Sequence, residues 1–275
     1  MNKERLVVED LSVKYHKGNV EAVRELNFRV WDKEVVAIVG PSGCGKSTLL
    51  NCIAKIIPPG VAEVKGNVFI DGESILDKSA DTGHLKKLGY MFQRDTLLPW
   101  KSVKDNVILP LTLRGVSKRE AESIAKNFLE MVGLSGFEDK YPHEISGGMR
   151  QRVQLARTLI YQPEIILMDE PFGALDAHTR LSMQNLVMQL WHHRRSTVVL
   201  VTHDLQEAIT LADRIVVLTA RPATVKNEYR VDIPRPRDAI KLRNDPLFHA
   251  VHDKIWADLA DEVRKQLNIS ERQPP

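Results

Sequence analysis

Short apolar runs recur along the chain between residues 35 and 218 and alternate with helical patterns. Four of these runs are rich in β-branched residues and free of charged side chains, which is typical of strands buried on both faces of a sheet. They are Val35–Val39, Ile165–Met168, Thr197–Thr202 and Ile215–Leu218. Because strands that alternate with helices form parallel βαβ units, the pattern predicts an α/β fold with helices on both faces of a parallel sheet.

The N-terminal region shows a different pattern, in which apolar and polar residues alternate. Residues 6–15 and 20–30 are therefore predicted to form two antiparallel strands. A third strand is predicted at residues 64–70, followed by an Asp71-Gly72 turn, and a short fourth strand at residues 89–92. This part of the chain is thus expected to be rich in β-structure.

Helices are indicated where apolar residues recur every three or four positions. Ser117 and Glu120 have the spacing of a capping box, and the apolar residues after them predict an amphipathic helix that ends near Gly133. The segment before it, 94–112, contains two prolines and mixed polarity, so loop and a short helix at the surface are expected there.

The chain changes character at Ala220. Prolines and scattered charges after this residue predict an extended linker. A helix is predicted from Pro246 onward, with apolar residues four apart at positions 247, 251, 255, 259, 263 and 267. A single stripe of this kind indicates a helix docked on the body of the protein.

Composition and charge narrow the function classes. The chain has 275 residues, with 39 basic and 36 acidic side chains and a net charge of +3, which is too balanced to indicate nucleic-acid binding. Its two cysteines, Cys44 and Cys52, are expected to be small buried side chains in a reducing compartment. No apolar run approaches the roughly 18 residues of a membrane span, and no secretory signal pattern opens the chain. We therefore expect a location in the cytoplasm, or on a membrane through another subunit.

A glycine-rich segment between a predicted strand and a predicted helix carries the strongest chemical signal. It consists of Gly40, Pro41, Ser42, Gly43, Cys44, Gly45, Lys46, Ser47 and Thr48. Its glycines let backbone N–H groups turn inward toward phosphate oxygens at the positive end of a helix. Lys46 supplies a charge for β- and γ-phosphates, and the Ser47 hydroxyl can bind Mg²⁺. The segment is therefore predicted to be a P-loop that binds a nucleotide.

Three further groups are candidates for chemistry. Asp169 and Glu170 follow a buried strand, at the edge where open α/β sheets bind ligands. Ser146 and the two glycines after it begin a helix, so they either cap that helix or form a second anion site. Tyr15 ends a strand and is either an edge aromatic or a platform for a base. The residues alone leave these alternatives open.

Taken in order, the motifs resemble those of the ATPase subunits of ABC transporters, and the resemblance covers roughly residues 5–220. It rests on the P-loop, Gln93, Ser146-Gly147-Gly148, Asp169-Glu170, Ala174-Leu175-Asp176 and His203. It implies a P-loop NTPase (RecA-like) core with an antiparallel β subdomain and an inserted α-helical subdomain at about 94–160. Residues 1–220 would then form the ATPase domain, and residues 221–275 a C-terminal extension with one amphipathic helix.

The resemblance implies that ATP and Mg²⁺ are the cofactors. Residues 40–48 would hold the phosphates, and Tyr15 would stack on adenine. Ser47, Gln93 and Asp169 would contact Mg²⁺. The catalytic residues implied are Glu170, which polarises the attacking water, Gln93 and His203, which help to orient it, and Lys46, which pairs with the phosphates.

Four residues are implied to act across a dimer. Ser146, Gly147 and Gly148 would contact ATP bound to the P-loop of the partner subunit, and Asp176 would lie in a loop that crosses the interface. Two neighbours depart from the family's signature, since Ile145 replaces leucine and Met149 replaces glutamine. Met149 cannot make the hydrogen bonds of an amide, but the serine and glycine contacts remain possible.

The implied partners are transmembrane permease subunits, a second copy of the chain or a homologous ATPase subunit, and indirectly a periplasmic or extracellular solute-binding protein. No nucleic acid is expected. The protein would then be peripheral, at the cytoplasmic face of the cell membrane. Leu97, Leu98 and Trp100 would either contact the membrane subunits or pack locally. The segments 96–100 and 172–177, and the short tail, resemble the nitrate, sulfonate and taurine importers.

Three other functions stay open. They are a soluble ABC ATPase that acts on nucleic acid or the ribosome, an ABC exporter subunit, and an ATP-binding regulatory module without turnover. The near-neutral charge and the absence of a basic insertion from the sequence argue against the first. Intact Lys46, Asp169, Glu170 and His203 argue against the last.

Overall fold

The computed structural model describes residues 3–76, 82–173 and 175–266. Its strands are β1 Glu4–Tyr15, β2 Val20–Trp31, β3 Val35–Val39, β4 Ala62–Ile70, β5 Glu73–Ser74, β6 Leu88–Met91, β7 Ile165–Asp169, β8 Thr197–Thr202, β9 Arg214–Leu218 and β10 Val225–Arg230. Its helices are α1 Lys46–Ile53, α2 Val103–Leu113, α3 Lys118–Met131, α4 Gly147–Leu159, α5 Ala177–Arg194, α6 Leu205–Leu211 and α7 Pro246–Gln266. Ala174 and Leu267, which the sequence analysis used, lie outside the described residues.

A six-stranded sheet organises the fold, with the strand order β10-β9-β3-β8-β7-β6. All neighbouring pairs from β9 to β6 are parallel, and β10 is antiparallel at the edge. The four apolar runs predicted as buried strands form β3, β7, β8 and β9, so that prediction is confirmed. Because these strands are parallel, the segments that follow β3, β6, β7 and β8 meet at one edge of the sheet.

The two faces of this sheet are covered differently. Successive residues of β3 point to opposite faces, so Ala37 and Val39 pack with helices α2 to α7, whereas Val36 and Ile38 pack with α1 and the second sheet. The prediction of helices on both faces is confirmed, although α1 shares the second face with the second sheet. Apolar and polar residues alternate along the strands of the second sheet, so its apolar side also has to be buried. It packs against the face of the main sheet that carries Val36 and Ile38.

The second sheet is antiparallel and has the strand order β2-β1-β4-β5. It confirms the two strands predicted at residues 6–15 and 20–30. It also confirms the strand predicted at residues 64–70, which is β4 and whose Ala62 pairs with Tyr15. Tyr15 thus lies at the end of β1, where its hydroxyl is close to Thr48 of the P-loop.

Helices α2, α3 and α4 form the inserted helical region. Ser117 caps α3 by accepting a hydrogen bond from the Glu120 N–H at 3.3 Å, and Gly133 follows the helix with a φ of +67°, as predicted. The surface segment predicted at 94–112 is corrected, since α2 has 11 residues and one face buried against α3 and α4. Leu97 is buried as well, whereas Trp100 is 70% exposed.

The residues after Ala220 do not form only a linker and a helix. β10 extends the main sheet by pairing with β9, which corrects the linker prediction over Val225–Arg230. The sequence pattern did not indicate this strand, because one side of an edge strand faces solvent and β10 therefore carries polar side chains. Helix α7 is confirmed, but its buried stripe includes Phe248, while Leu247 is 54% exposed. The division of the chain at residue 220 stays a prediction. None of the helices in the described ranges combines the length and apolar character needed to cross a bilayer.

Candidate nucleotide site

The P-loop connects β3 to α1 and depends on glycine at two positions. Gly43 has a φ of +72° and Gly45 a φ of +134°, both in a region that side chains disfavour. A Cβ on Gly45 would lie 2.5 Å from the carbonyl oxygen of Ala22 on β2. The loop therefore lies so close to the second sheet that residue 45 has no room for a side chain.

Lys46 is buried inside this loop and is 5% exposed. Its ammonium donates hydrogen bonds to the carbonyl oxygens of Gly40 and Pro41, at 2.8 and 2.9 Å. The loop thus holds a desolvated positive charge at the N-terminus of α1, where the helix dipole also favours an anion. Phosphate oxygens are the groups that this arrangement attracts.

Ser47 and Asp169 form a pair of oxygen ligands. The Ser47 hydroxyl donates a hydrogen bond to Oδ1 of Asp169 at 3.0 Å, and Asp169 is 6% exposed. Burial raises the pKa of Asp169, and the bond from Ser47 partly opposes that rise. An adjacent hydroxyl and carboxylate fit Mg²⁺, which binds one or two protein oxygens together with nucleotide phosphates. A positive ion there would also favour the charged carboxylate.

Glu170 is held between two residues from the neighbouring strand ends. Gln93, after β6, donates from Nε2 to Oε2 of Glu170 at 2.8 Å. His203, after β8, places Nδ1 3.3 Å from Oε1. Glu170 itself has a φ of +44°, so its backbone turns sharply at the end of β7. The structure therefore brings together three predicted catalytic residues that lie far apart in the sequence.

A cavity of about 360 Å³ opens beside the P-loop. It is lined by Tyr15, Lys17, Val20, Ala22, Gly43, Gly45, Lys46, Ser47, Thr48, Glu170 and Arg221. Tyr15 lies at one side, with its hydroxyl 3.2 Å from Oγ1 of Thr48. The lining thus combines an aromatic ring, the residues of the glycine-rich loop and a carboxylate.

The family model described as ABC transporter matches residues 23–173. The chain belongs to the ABC transporter family. An uncharacterised ABC transporter ATP-binding protein of Methanocaldococcus jannaschii is 45% identical over 96% of this chain and 95% of its own length. An aliphatic sulfonates import ATP-binding protein of Bacillus cereus is 41% identical, covering 86% of this chain and 87% of its own. A taurine import ATP-binding protein of Rhizobium johnstonii is 40% identical, covering 92% and 91%.

A solved structure agrees with the sequence relatives. The dimeric ABC transporter cassette MJ0796 is 32% identical and superposes with a TM-score of 0.72, over 83% of this chain and all of that one. The same cassette is also known as a dimer in a post-hydrolysis state with ADP and phosphate. The fold is therefore that of an ABC ATPase cassette, and this chain is an ATP-binding subunit and ATPase of the family.

Two motifs of this ABC ATPase do not line the cavity. Ser146 caps α4 by accepting a hydrogen bond from the Met149 N–H at 3.3 Å, with Gly147 and Gly148 in the first turn. Asp176 caps α5 by accepting from the Thr179 N–H at 3.0 Å. A Cβ on Gly148 would lie 2.7 Å from the Thr179 methyl group, so the starts of α4 and α5 are in close contact. The two motifs share one surface.

Sequence reasoning missed several residues around the site. Lys17 and Arg221 line the cavity without belonging to any motif used above. Glu207 on α6 was also missed, and it is 2% exposed. The Thr202 hydroxyl donates to its Oε2 at 2.6 Å, and Arg180 lies 3.9 Å from its Oε1. A glutamate within an apolar helix pattern is a signal that could have identified it.

Glu207 gives a testable pH dependence of stability. Burial raises the pKa of Glu207 to about 7, and the negative charge of Asp204 adds to the rise, while Thr202, Arg180 and His203 oppose it. The folded protein therefore favours the protonated form. The contribution of Glu207 to the free energy of unfolding should be full below about pH 4.5 and should be lost, by about 3 kcal/mol, as the pH rises through about 7.

Glu207→Gln should remove this part of the pH dependence, because glutamine stays neutral and can still accept from Thr202. Urea unfolding of the wild type and Glu207→Gln between pH 4.5 and 8 measures the difference. Glu122→Gln on the surface of α3 is the control for removal of one carboxylate. Parallel stability curves for the wild type and Glu207→Gln would contradict the effect of burial.

Proposed function

We propose that this chain is the ATP-hydrolysing subunit of an ABC importer and that the cavity beside residues 40–48 is its nucleotide site. One observation carries the assignment of the site. Lys46, Ser47 and Glu170 line a single cavity. Asp169 contacts Ser47 behind this lining, and Gln93 and His203 contact Glu170. Phosphoryl transfer to water needs mainly a cation, a metal site and a base in such positions.

The residues divide the work of hydrolysis as follows. Tyr15 stacks on adenine, and the N–H groups of residues 40–48 hold the phosphates. Lys46 moves its hydrogen bonds from the loop carbonyls to the phosphate oxygens. Ser47 and Asp169 would hold Mg²⁺, with Gln93 as a further contact, and a metal ion there would supply positive charge for the phosphates.

Glu170 accepts the proton of the attacking water in this proposal. Its Oε2 already accepts a hydrogen bond from Gln93, and its Oε1 faces His203. The carboxylate is therefore oriented before a nucleotide binds. Gln93 and His203 then orient the water and the γ-phosphate. His203 is 56% exposed at its side chain, which leaves it room to move toward the phosphate.

The complete site is proposed to need two chains. Ser146, Gly147 and Gly148 begin α4, where the first backbone N–H groups have no partner within the helix, yet in one chain they do not line the cavity. A head-to-tail dimer of this chain, or of this chain with a homologous subunit, would place them on the ATP of the partner. The dimeric state of the similar cassette supports this arrangement.

The transported solute is proposed to belong to the nitrate, sulfonate and taurine group. Relatives named for import of aliphatic sulfonates, taurine and nitrate, at 41%, 40% and 37% identity, support this choice. ATP binding and hydrolysis would act on permease subunits at the cytoplasmic face of the membrane, with a solute-binding protein on the other side. Trp100, 70% exposed beside α2, is the residue proposed to contact a permease.

Uptake measurements test the importer proposal. In cells that lack this subunit, uptake of at least one of nitrate, taurine or an alkanesulfonate should be lost and should return with the wild-type gene. Lys46→Ala should fail to restore it. Purification of the tagged chain from membranes should retain a polytopic membrane protein. Retention of ribosomes or DNA instead, with normal uptake of all three solutes, would contradict the proposal.

A further inference from the structure

The inner face of α7 changes from apolar to polar at its C-terminal end. Ile255 and Leu259 are buried against the main body. Glu262 and Gln266 follow on the same face, because residues three or four apart line one side of a helix. The side chain of Glu262 is 3% exposed, so the last turns of α7 place a carboxylate in the interface with the body.

Glu262 holds the turn that follows β9. Its Oε2 accepts a hydrogen bond from the Ala220 N–H at 3.0 Å, and Oε1 lies 3.1 Å from Lys226 and 2.7 Å from Lys265. Burial opposes ionisation, but these donors keep the pKa of Glu262 below its usual value. The carboxylate is thus charged, satisfied and bound to the backbone directly before Arg221.

Arg221 and Gln266 both donate hydrogen bonds to carbonyl groups of the P-loop. Arg221 donates from Nε to the carbonyl oxygen of Gly43 at 3.0 Å, and its Nη2 contacts the same oxygen. Gln266 donates from Nε2 to the carbonyl oxygen of Ser42 at 3.0 Å. Two consecutive carbonyl groups of the phosphate-binding loop are therefore held by side chains from outside it.

These contacts fix the direction of N–H groups in the loop. In a planar trans peptide the N–H points opposite to the C=O. The Ser42 carbonyl therefore sets the direction of the Gly43 N–H, and the Gly43 carbonyl sets that of the Cys44 N–H, which here donates to Pro41 at 3.2 Å. Gly43 has no side chain to restrict it, so outside contacts matter most at this position.

We propose that Glu262, Arg221 and Gln266 are positioning residues that couple the C-terminal helix to nucleotide binding at the P-loop. The inference rests on the proposed function of that loop as the phosphate site. Glu262 acts through the Ala220–Arg221 turn, and Gln266 acts on the loop directly. Since coupling between two sites is reciprocal, a nucleotide should in turn stabilise the last turns of α7.

Binding of AMP-PNP with Mg²⁺ to the full-length chain tests the coupling by calorimetry. Arg221→Ala and Glu262→Gln should each raise the Kd about tenfold, with Gln266→Ala in the same direction. Arg264→Ala is the matched control. It removes a positive charge from the same turn of α7, but its side chain is 63% exposed and pairs only with Asp261 among the ion pairs of the described residues. Its Kd should stay within about twofold of the wild type.

Two further readouts separate positioning from a merely structural role. In steady-state hydrolysis, Arg221→Ala should raise the KM for ATP while kcat at saturation changes less than about twofold. In hydrogen exchange, AMP-PNP should slow the amides of residues 259–266 in the wild type and much less in Glu262→Gln. Thermal unfolding identifies any variant that is generally destabilised, and Arg221 and Gln266 lie at the surface, where replacement is tolerated.

The outcomes distinguish this inference from the proposed function. Unchanged Kd values in Arg221→Ala, Glu262→Gln and Gln266→Ala, together with loss of binding in Lys46→Ala, would overturn the coupling and leave the P-loop assignment intact. Retained binding in Lys46→Ala would instead overturn the assignment of the P-loop. Raised Kd values with a raised KM and nucleotide-dependent protection of α7 would support the coupling.

Discussion

Replacement of Glu170 by glutamine should lower kcat for ATP hydrolysis by about 10²- to 10⁴-fold, the range expected for loss of a general base. Glutamine keeps the size of the side chain and can still contact Gln93, but it cannot take a proton from water. Affinity for ATP should stay close to that of the wild type, because no phosphate contact is removed. Single-turnover hydrolysis and equilibrium binding of ATP measure the two effects separately.

Glu164→Gln is the control for this prediction, since Glu164 has a half-exposed side chain and lies at the opposite end of β7. It should hydrolyse ATP at the wild-type rate. If Glu170→Gln retained the wild-type rate, Glu170 would not be the base. If it lost ATP binding as well, its role would be in forming the site rather than in the chemical step.

Lys46→Ala should have the second large effect, a loss of about 10²-fold or more in affinity for ATP. The ammonium is desolvated inside the loop, so a charge-assisted hydrogen bond from it to phosphate is stronger there than at the surface. The alanine variant also leaves the Gly40 and Pro41 carbonyls without the donor they have now. Titration with a fluorescent ATP analogue gives the Kd directly.

Lys118→Ala removes a lysine whose side chain is 69% exposed on α3 and serves as the control for charge. It should bind the analogue as the wild type does. Affinity in Lys46→Ala that matched this control would show that the loop does not hold the phosphates.

Much of the core was predictable because each signal was local. The runs at β3, β7 and β8 are uninterrupted and apolar, and buried parallel strands require that pattern. The P-loop was predictable because Gly45 needs a backbone angle that side chains disfavour. Ser146 was predicted at a helix start, and it caps α4 through its side chain.

The sequence-based predictions were wrong where tertiary contacts determine the local structure. β10 is polar and half-exposed, and only its pairing with β9 makes it a strand. Helix α2 contains Pro110, which local rules read as a breaker, but Ser102 caps the helix and its apolar face packs on α3 and α4. In α7 the docked face includes Phe248, which is buried, and leaves Leu247 exposed, a register that only the packing on the body reveals.

The residues of the candidate site could be predicted from the sequence, but most of the contacts between them could not. Gln93, Glu170 and His203 could be named from motifs, but their mutual contacts follow from the order of β6, β7 and β8 in the sheet. Arg221 could not be named, since it lies in a turn without a motif and reaches Gly43 only in the folded chain. The contacts of Glu207 could not be predicted either, because its partners Thr202 and Arg180 come from other elements.

In the proposed dimer, ATP is enclosed between the P-loop of one chain and the Ser146 helix of another. The mass of full-length Glu170→Gln in solution tests this arrangement, measured by light scattering with ATP and Mg²⁺ and again with ADP. We expect a dimer, twice the 31.2 kDa of one chain, with ATP and a single chain with ADP. A variant that binds ATP but keeps the mass of one chain at micromolar concentration would contradict it.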